Sequence, residues 1–194
     1  YAAGYNTTTG SENTVIGYQA SKDNTTGGHN TALGYRALMD NATGHENTAI
    51  GYEALRDNTV DWNVAVGYHA LIANTTATET TAVGTMALKS QTTGPRNTAV
   101  GFKAMEANLI GGYNTAVGWG ALEDCENSHN TAVGHHCLHK VGSGYENTAV
   151  GSNAAYNVTS ALRTVAVGTQ SLNQVTTGND NIGIGVKAGY DITT

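Results

Sequence analysis

Glycine returns at a nearly fixed interval from one end of this chain to the other, at Gly17, Gly34, Gly51, Gly67, Gly84, Gly101, Gly118, Gly134, Gly151, Gly168 and Gly185. The interval is 17 residues, shortened to 16 between Gly51 and Gly67 and between Gly118 and Gly134. So short a period belongs to stacked units, none of which can enclose a core alone. The expectation is an all-β chain: a parallel β-roll or β-solenoid of about eleven 17-residue coils. Residues 1–194 then form a single repeat domain, and since the chain starts and stops in mid-repeat it reads as a segment of a longer fibrous protein.

Positions counted from each glycine form columns. The residue just before it is Ile16, Leu33, Ile50, Val66, Val83, Val100, Val117, Val133, Val150, Val167 or Ile184, always aliphatic. Three residues before it stand Thr14, Thr31, Thr48, Val64, Thr81, Thr98, Thr115, Thr131, Thr148, Val165 and Ile182. Side chains alternate along a strand, so these two columns share a face. Their β-branched character reads as the coil's own interior. Between them runs Ala32, Ala49, Ala65, Ala82, Ala99, Ala116, Ala132, Ala149 and Ala166. A wet position should drift, as the site two residues after glycine does through Gln19, Arg36, Glu53, His69 and Met86. The alanine column hardly drifts, so it is expected to be an interface packed against a neighbouring chain.

Four residues before glycine, Asn recurs at Asn13, Asn30, Asn47, Asn63, Asn97, Asn114, Asn130, Asn147 and Asn181, which suggests an amide ladder along the axis. An aromatic follows the glycine at Tyr18, Tyr35, Tyr52, Tyr68, Phe102 and Trp119. Then come Ala-Leu pairs such as Ala37-Leu38 and a polar turn such as Asp23-Asn24-Thr25-Thr26-Gly27. The glycine itself marks a bend that a Cβ would obstruct. Five residues before it the column reads Glu12, His29, Glu46, Trp62, Glu79, Arg96, Tyr113, His129, Glu146, Arg163, Asp180. No two acids are consecutive in this column, a spacing that parallel in-register stacking predicts, because like charges opposite each other destabilise neighbouring strands.

At this point the repeats resemble a known pattern. NTAVGFKAM (97–105), NTALGYRAL (30–38) and NTAIGYEAL (47–55) are similar to the head repeats of YadA-type trimeric autotransporter adhesins. They are closer still to the NTAVG repeats of phage-like tail-fibre proteins. The resemblance covers essentially the whole chain. It implies a left-handed parallel roll with three chains side by side, although the adhesin repeat is shorter than the 17 residues found here.

Composition closes off several functions. A net charge of −6 with only 12% charged residues leaves no basic stripe for nucleic acid. No run of about twenty apolar residues exists to enter a membrane. Two cysteines, Cys125 and Cys137, make no disulfide framework. No nucleophile elbow, P-loop or HExxH occurs, so no enzyme and no cofactor are expected. The cluster Cys125, His129, His135, His136, Cys137 and His139 is a local oddity, but His-His-Cys-Leu-His is no established zinc pattern. Cys137 stands where Ala usually does, and His135 in the aromatic column. The expectation is no metal, with His135, Cys137 and His139 as the zinc candidates. Asp23, Asp40 and Asp57 share a turn position and are the corresponding candidates for calcium, against ordinary turn chemistry. Sequons at Asn6, Asn24, Asn41, Asn74 and Asn157 fall on the same turn and would carry glycans along one edge in a eukaryotic secretory host.

The functional expectation is a structural and adhesive repeat segment of a surface-displayed homotrimeric fibre. It would be extracellular, on a cell surface or virion, and bind a glycan or matrix receptor through many weak contacts. An ice-binding solenoid and a self-assembling extracellular filament are the alternatives.

Overall fold

The computed structural model describes residues 3–194, and among these every regular element is a strand of three residues. They are β1 (Thr14–Ile16), β2 (Thr31–Leu33), β3 (Thr48–Ile50), β4 (Val64–Val66), β5 (Thr81–Val83), β6 (Thr98–Val100), β7 (Thr115–Val117), β8 (Thr131–Val133), β9 (Thr148–Val150), β10 (Val165–Val167) and β11 (Ile182–Ile184). All pair in chain order into one parallel eleven-stranded sheet. Each position meets its equivalent one coil on: Thr98 faces Thr115, Ala99 faces Ala116 and Val100 faces Val117. Both shortened coils keep this register, with Thr48 on Val64 and Thr115 on Thr131, so the lost residue comes out of the turn. The β-solenoid expected from the period is thus the architecture, a parallel roll of stacked coils.

The coil containing Gly101 shows how the backbone closes. The Thr98 N–H donates forward to the Asn114 carbonyl (2.9 Å), and the Gly101 N–H donates backward to that of Val83 (2.8 Å). Lys103 donates backward to Thr85, and Met105 forward to Ala121, both at 3.0 Å. This alternation sends donors to both neighbouring coils and needs left-handed backbone at Arg96, Lys103 and Met105 (φ 59°, 56° and 54°). The same positions are left-handed in nearly every coil, although they carry Leu, Glu and Arg far more often than Gly. A left-handed residue with a Cβ costs roughly 1–2 kcal/mol. The inter-coil hydrogen bond that each one permits offsets that cost. At Gly101 no side chain is possible, because a Cβ would lie 2.4 Å from the Gly118 carbonyl oxygen, at φ +138°.

The two faces of the strand are the reverse of the sequence expectation. The alanine column, Ala32, Ala49, Ala65, Ala82, Ala99, Ala116, Ala132, Ala149 and Ala166, is fully buried inside its own coil. The Thr and Val columns face outward. The reason is the thinness of the roll. The Leu column of the turns shares one buried cluster with the alanine methyls, and at Gly183, which stands in the alanine column, a Cβ would sit 2.6 Å from Cγ of Leu172 in the preceding turn. A three-residue strand opposite a Leu-bearing turn keeps this column small, and the first coil alone carries a larger residue in it, the partly buried Val15. Alanine is therefore kept by contact within the chain, and no neighbouring chain is needed to explain it.

Polar groups fill the rest of the interior. The Asn97 Oδ1 accepts from the Asn114 N–H (2.8 Å), whose own Oδ1 accepts from Asn130 N–H (2.8 Å). The Asn97 Nδ2 donates to the Gly111 carbonyl of the next turn (2.6 Å). A second buried amide column, seven residues after glycine, runs through Asn24, Asn41, Asn58, Asn74, Gln91 and Asn108. It changes to apolar at Cys125, Val141, Val158 and Val175, also fully buried.

Orientation makes opposite predictions for neighbouring positions. Ala99→Leu overpacks the coil and is expected to cost about 1–3 kcal/mol. Thr98→Val, on the outward face, should stay within about 0.5 kcal/mol of the parent. Denaturant unfolding of the two variants checks this, and comparable losses in both would show that the strand faces are assigned wrongly.

Candidate functional site

Two outward surfaces follow from this geometry. On the first, the aliphatic column before glycine stands partly in water: Ile50, Val66 and Val83 are half-buried, Val100 is 36% and Val150 40% exposed, and the end residues Ile16 and Ile184 reach 59% and 70%. Val66, Val83, Val117 and Val133 belong to the same row, which the sequence had placed inside. The Thr column runs parallel to it on one side. On the other side the aromatic column stacks: Tyr18 on Tyr35 at 5.4 Å between ring centroids, Tyr35 on Tyr52 at 4.9 Å, Tyr52 on Tyr68 at 5.3 Å. After a break at Thr85 it resumes with Phe102, Trp119 and His135. Eleven strands at ~4.8 Å make this face roughly 50 Å long.

The second surface joins the columns two and five residues after glycine, which lie side by side on the turn. It is a ribbon of charge. Glu53, nearly buried, is neutralised by Arg56 (3.1 Å), His69 (3.3 Å) and Arg36 (3.6 Å). Glu106 takes Lys103 (2.9 Å) and Lys89 (3.7 Å). Glu123 differs, since the basic groups within ion-pair range are two imidazoles, His139 Nε2 at 3.6 Å and His136 Nδ1 at 3.9 Å. His136 and His139 stack at 4.5 Å, Tyr156 packs on them edge-on, and burial and the neighbouring His139 and His135 hold His136 toward its neutral form.

The candidate zinc residues are accordingly re-sorted. His139 remains, but His135 is exposed against Trp119 and Cys137 points into the core. Burial pushes the Cys137 thiol up to about 12 and that of Cys125 up to about 11, so neither offers a thiolate near neutrality. Glu123 and His136 take their places in the cluster. The signal was present in the sequence as spacing: His136 and His139 are three apart on one turn, and Glu123 occupies the His139 column one coil earlier.

The turn acids form no cation cage. Asp57 is gripped by Arg56, with Nη2 to Oδ2 at 2.8 Å. Asp23 lies 3.7 Å from Lys22 and accepts from Asn6 Nδ2 at 2.8 Å. Among the described residues they do not converge as a metal-ligand group. Nor do the sequons form one edge. Asn24, Asn41 and Asn74 are fully buried, and their amides donate to the carbonyls of Gly27, Gly44 and Ala77, so they present nothing to a glycosyltransferase. Asn6 and Asn157 lie in the adjacent outward column.

The column five residues before glycine pairs as its alternation implied. Arg96 forks onto Glu79 (3.0 and 3.1 Å) and donates to Tyr113 Oη (2.8 Å), Arg163 forks onto Asp180, and His29 meets Glu12 at 3.1 Å.

Comparison with protein-family models, with curated proteins and with solved structures gives no match.

Asp40 shows the cost of stacking acids in register. Burial, then Asp57 and Asp23, raise its pKa above the ordinary carboxylate value. The folded state thus holds the proton more tightly than the unfolded chain, and stability falls as pH rises through that interval. Asp40→Asn should raise the stability at pH 7 by ~0.2–1 kcal/mol, the scale of cross-strand charge pairs, seen as a higher melting temperature. The gain should vanish at a pH low enough to protonate Asp40 in both states. A gain independent of pH would show that charge is not its source.

Proposed function

We propose that this chain is a structural and adhesive repeat segment of a surface-displayed fibre, in which copies of the solenoid pack side by side through the outward Thr and aliphatic face. One observation carries the reading. The column before glycine is aliphatic in all eleven coils although it faces out of the coil and is half wet. Nothing within one chain requires that constancy. With the aromatic ladder beside it, the row forms an apolar strip of a size that monomers rarely leave exposed. The resemblance to trimeric adhesin heads and tail-fibre repeats sets the number of chains at three, with extracellular display on a cell or virion. The variable ribbon then remains outside, repeated in each copy, where weak contacts to a surface glycan or matrix protein would add as avidity. Among the described residues no helix is long and apolar enough to cross a membrane.

The outward Thr column favours one second reading. Thr14, Thr31 and Thr48, then Thr81, Thr98, Thr115, Thr131 and Thr148, recur at strand spacing on a regular sheet, as an ice-binding face would need. The row beside it is aliphatic and the next aromatic, which suits a protein partner better than ice.

Light scattering is expected to give a molar mass near three times the 20.0 kDa chain. Val100→Lys with Val133→Lys, two coils apart so that the charges are not direct strand partners, should dissociate the assembly without unfolding the coils. A folded monomer that shows thermal hysteresis would favour the second reading, and a folded monomer without it would refute the fibre.

A further inference from the structure

We propose that Glu123, His136 and His139 form a binding site for one divalent transition-metal ion, zinc by the chemistry of its donors, that clips the Gly118 coil to the Gly134 coil. One ligating atom from each residue lies within 4.8 Å of the other two. The carboxylate-to-imidazole separations, 3.6 and 3.9 Å, are a few tenths of an ångström above the ~3.4 Å between donors on a tetrahedral zinc with bonds of ~2.0–2.1 Å. A set of two imidazoles and one carboxylate selects a borderline ion over calcium or magnesium. The site leaves a fourth position for water.

Three further observations point the same way. First, the Nδ1 atom of His136, the one that faces Glu123, is buried without a hydrogen-bond partner. Such orphans are costly in a closed protein and are ordinary where a ligand completes them. Second, Asp124 Oδ2 stands 3.9 Å from His139 Nδ1, on the far side of the ring from Glu123. A carboxylate on that side, though beyond hydrogen-bond distance, favours the tautomer with Nδ1–H outward and the Nε2 lone pair toward Glu123, the orientation a metal-binding histidine needs. Third, the column two residues after glycine, which bears a side chain in the neighbouring coils, has Gly120 at this place. A Cβ on Gly120 would lie 2.7 Å from His136 Nδ1 and 2.8 Å from Glu123 Oε2. The missing methyl leaves open the space between the two donors. Backbone does not demand this glycine, because Gln19, Arg36, Glu53, Met86 and Lys103 hold the same conformation at φ between 51° and 60°.

Besides Asp124, the charges around this patch include Lys103, which pairs with Glu106 at 2.9 Å, and Lys140, whose Nζ lies 5.8 Å from the centre of the Tyr156 ring. The clip would sit across one of the two 16-residue coils, where the buried amide column gives way to Cys125. A bound ion there would add a coil-to-coil link where the interior offers one fewer.

The test is zinc titration of chelator-treated full-length chain by calorimetry, with cobalt as the spectroscopic probe. The expected result is one ion per chain, a four-coordinate cobalt spectrum without a thiolate charge-transfer band, and a melting temperature that rises with zinc. His139→Ala and Glu123→Gln should weaken binding at least ~10-fold, in line with the loss of even supporting groups at metal sites. Gly120→Ala should do the same while its circular dichroism stays that of the parent, so it carries the test if a ligand variant fails to fold. His135→Ala should bind like the parent. Absence of saturable binding overturns the proposal. So does binding retained in Gly120→Ala and His139→Ala, or a thiolate band that places Cys137 at the ion.

Discussion

Coil-to-coil hydrogen bonding at constant register is the constraint on which every other feature rests. Each coil donates to its predecessor through residues such as Gly101 and Lys103 and to its successor through Thr98 and Met105. A backbone that serves both neighbours must reverse its N–H direction several times per coil. The left-handed residues perform those reversals, and the glycine after the strand performs the one where no Cβ fits. Because the bonds join equivalent positions, each residue type meets its own kind one coil away, and columns become the unit of design. Stacked tyrosines, amide ladders and alternating charges are three consequences of that repetition.

The register also dictates how little core there is. A coil encloses two alanines, one Leu or Met and a pair of amides, as in Ala99, Ala104, Met105, Asn97 and Asn108. So narrow an interior cannot exclude backbone carbonyls, and the asparagines meet them from within: Asn97 Nδ2 reaches the carbonyls of both Gly94 and Gly111. Buried amides are tolerated here because nearly all of their groups are satisfied, Asn24 Oδ1 being an exception, and their stacking binds one coil to the next.

Much of this was legible in the sequence. The period, the bend at glycine, the parallel register, the Asn ladder and the placement of deletions in the turn follow from spacing alone. What misled was the alanine column. Constancy of a small residue shows that something presses on it but does not say what, and the width of the roll, set by Leu172 and its equivalents, decides that. The left-handed Leu and Arg positions were invisible because their residue types argue against such backbone; only the hydrogen bonds they release explain them. Glu123 escaped notice for another reason, and His136, though seen in the histidine cluster, was passed over as a ligand. Their meeting depends on a side chain that is absent at Gly120, and in a column that varies freely a glycine looks like one more variant.

The rule that a wet position drifts still holds once the faces are exchanged. The columns two and five residues after glycine vary in charge, size and polarity, and the structure puts both on the outside. The column before glycine is outside as well, yet it admits only Val, Ile and Leu through eleven coils. No intrachain packing comparable to the Leu172 contact on the alanine column restricts it. That restriction is the observation on which the proposed side-by-side packing of chains rests. The inference that sequence constancy once attached to alanine therefore passes, with better footing, to the exposed aliphatic row one residue along the strand.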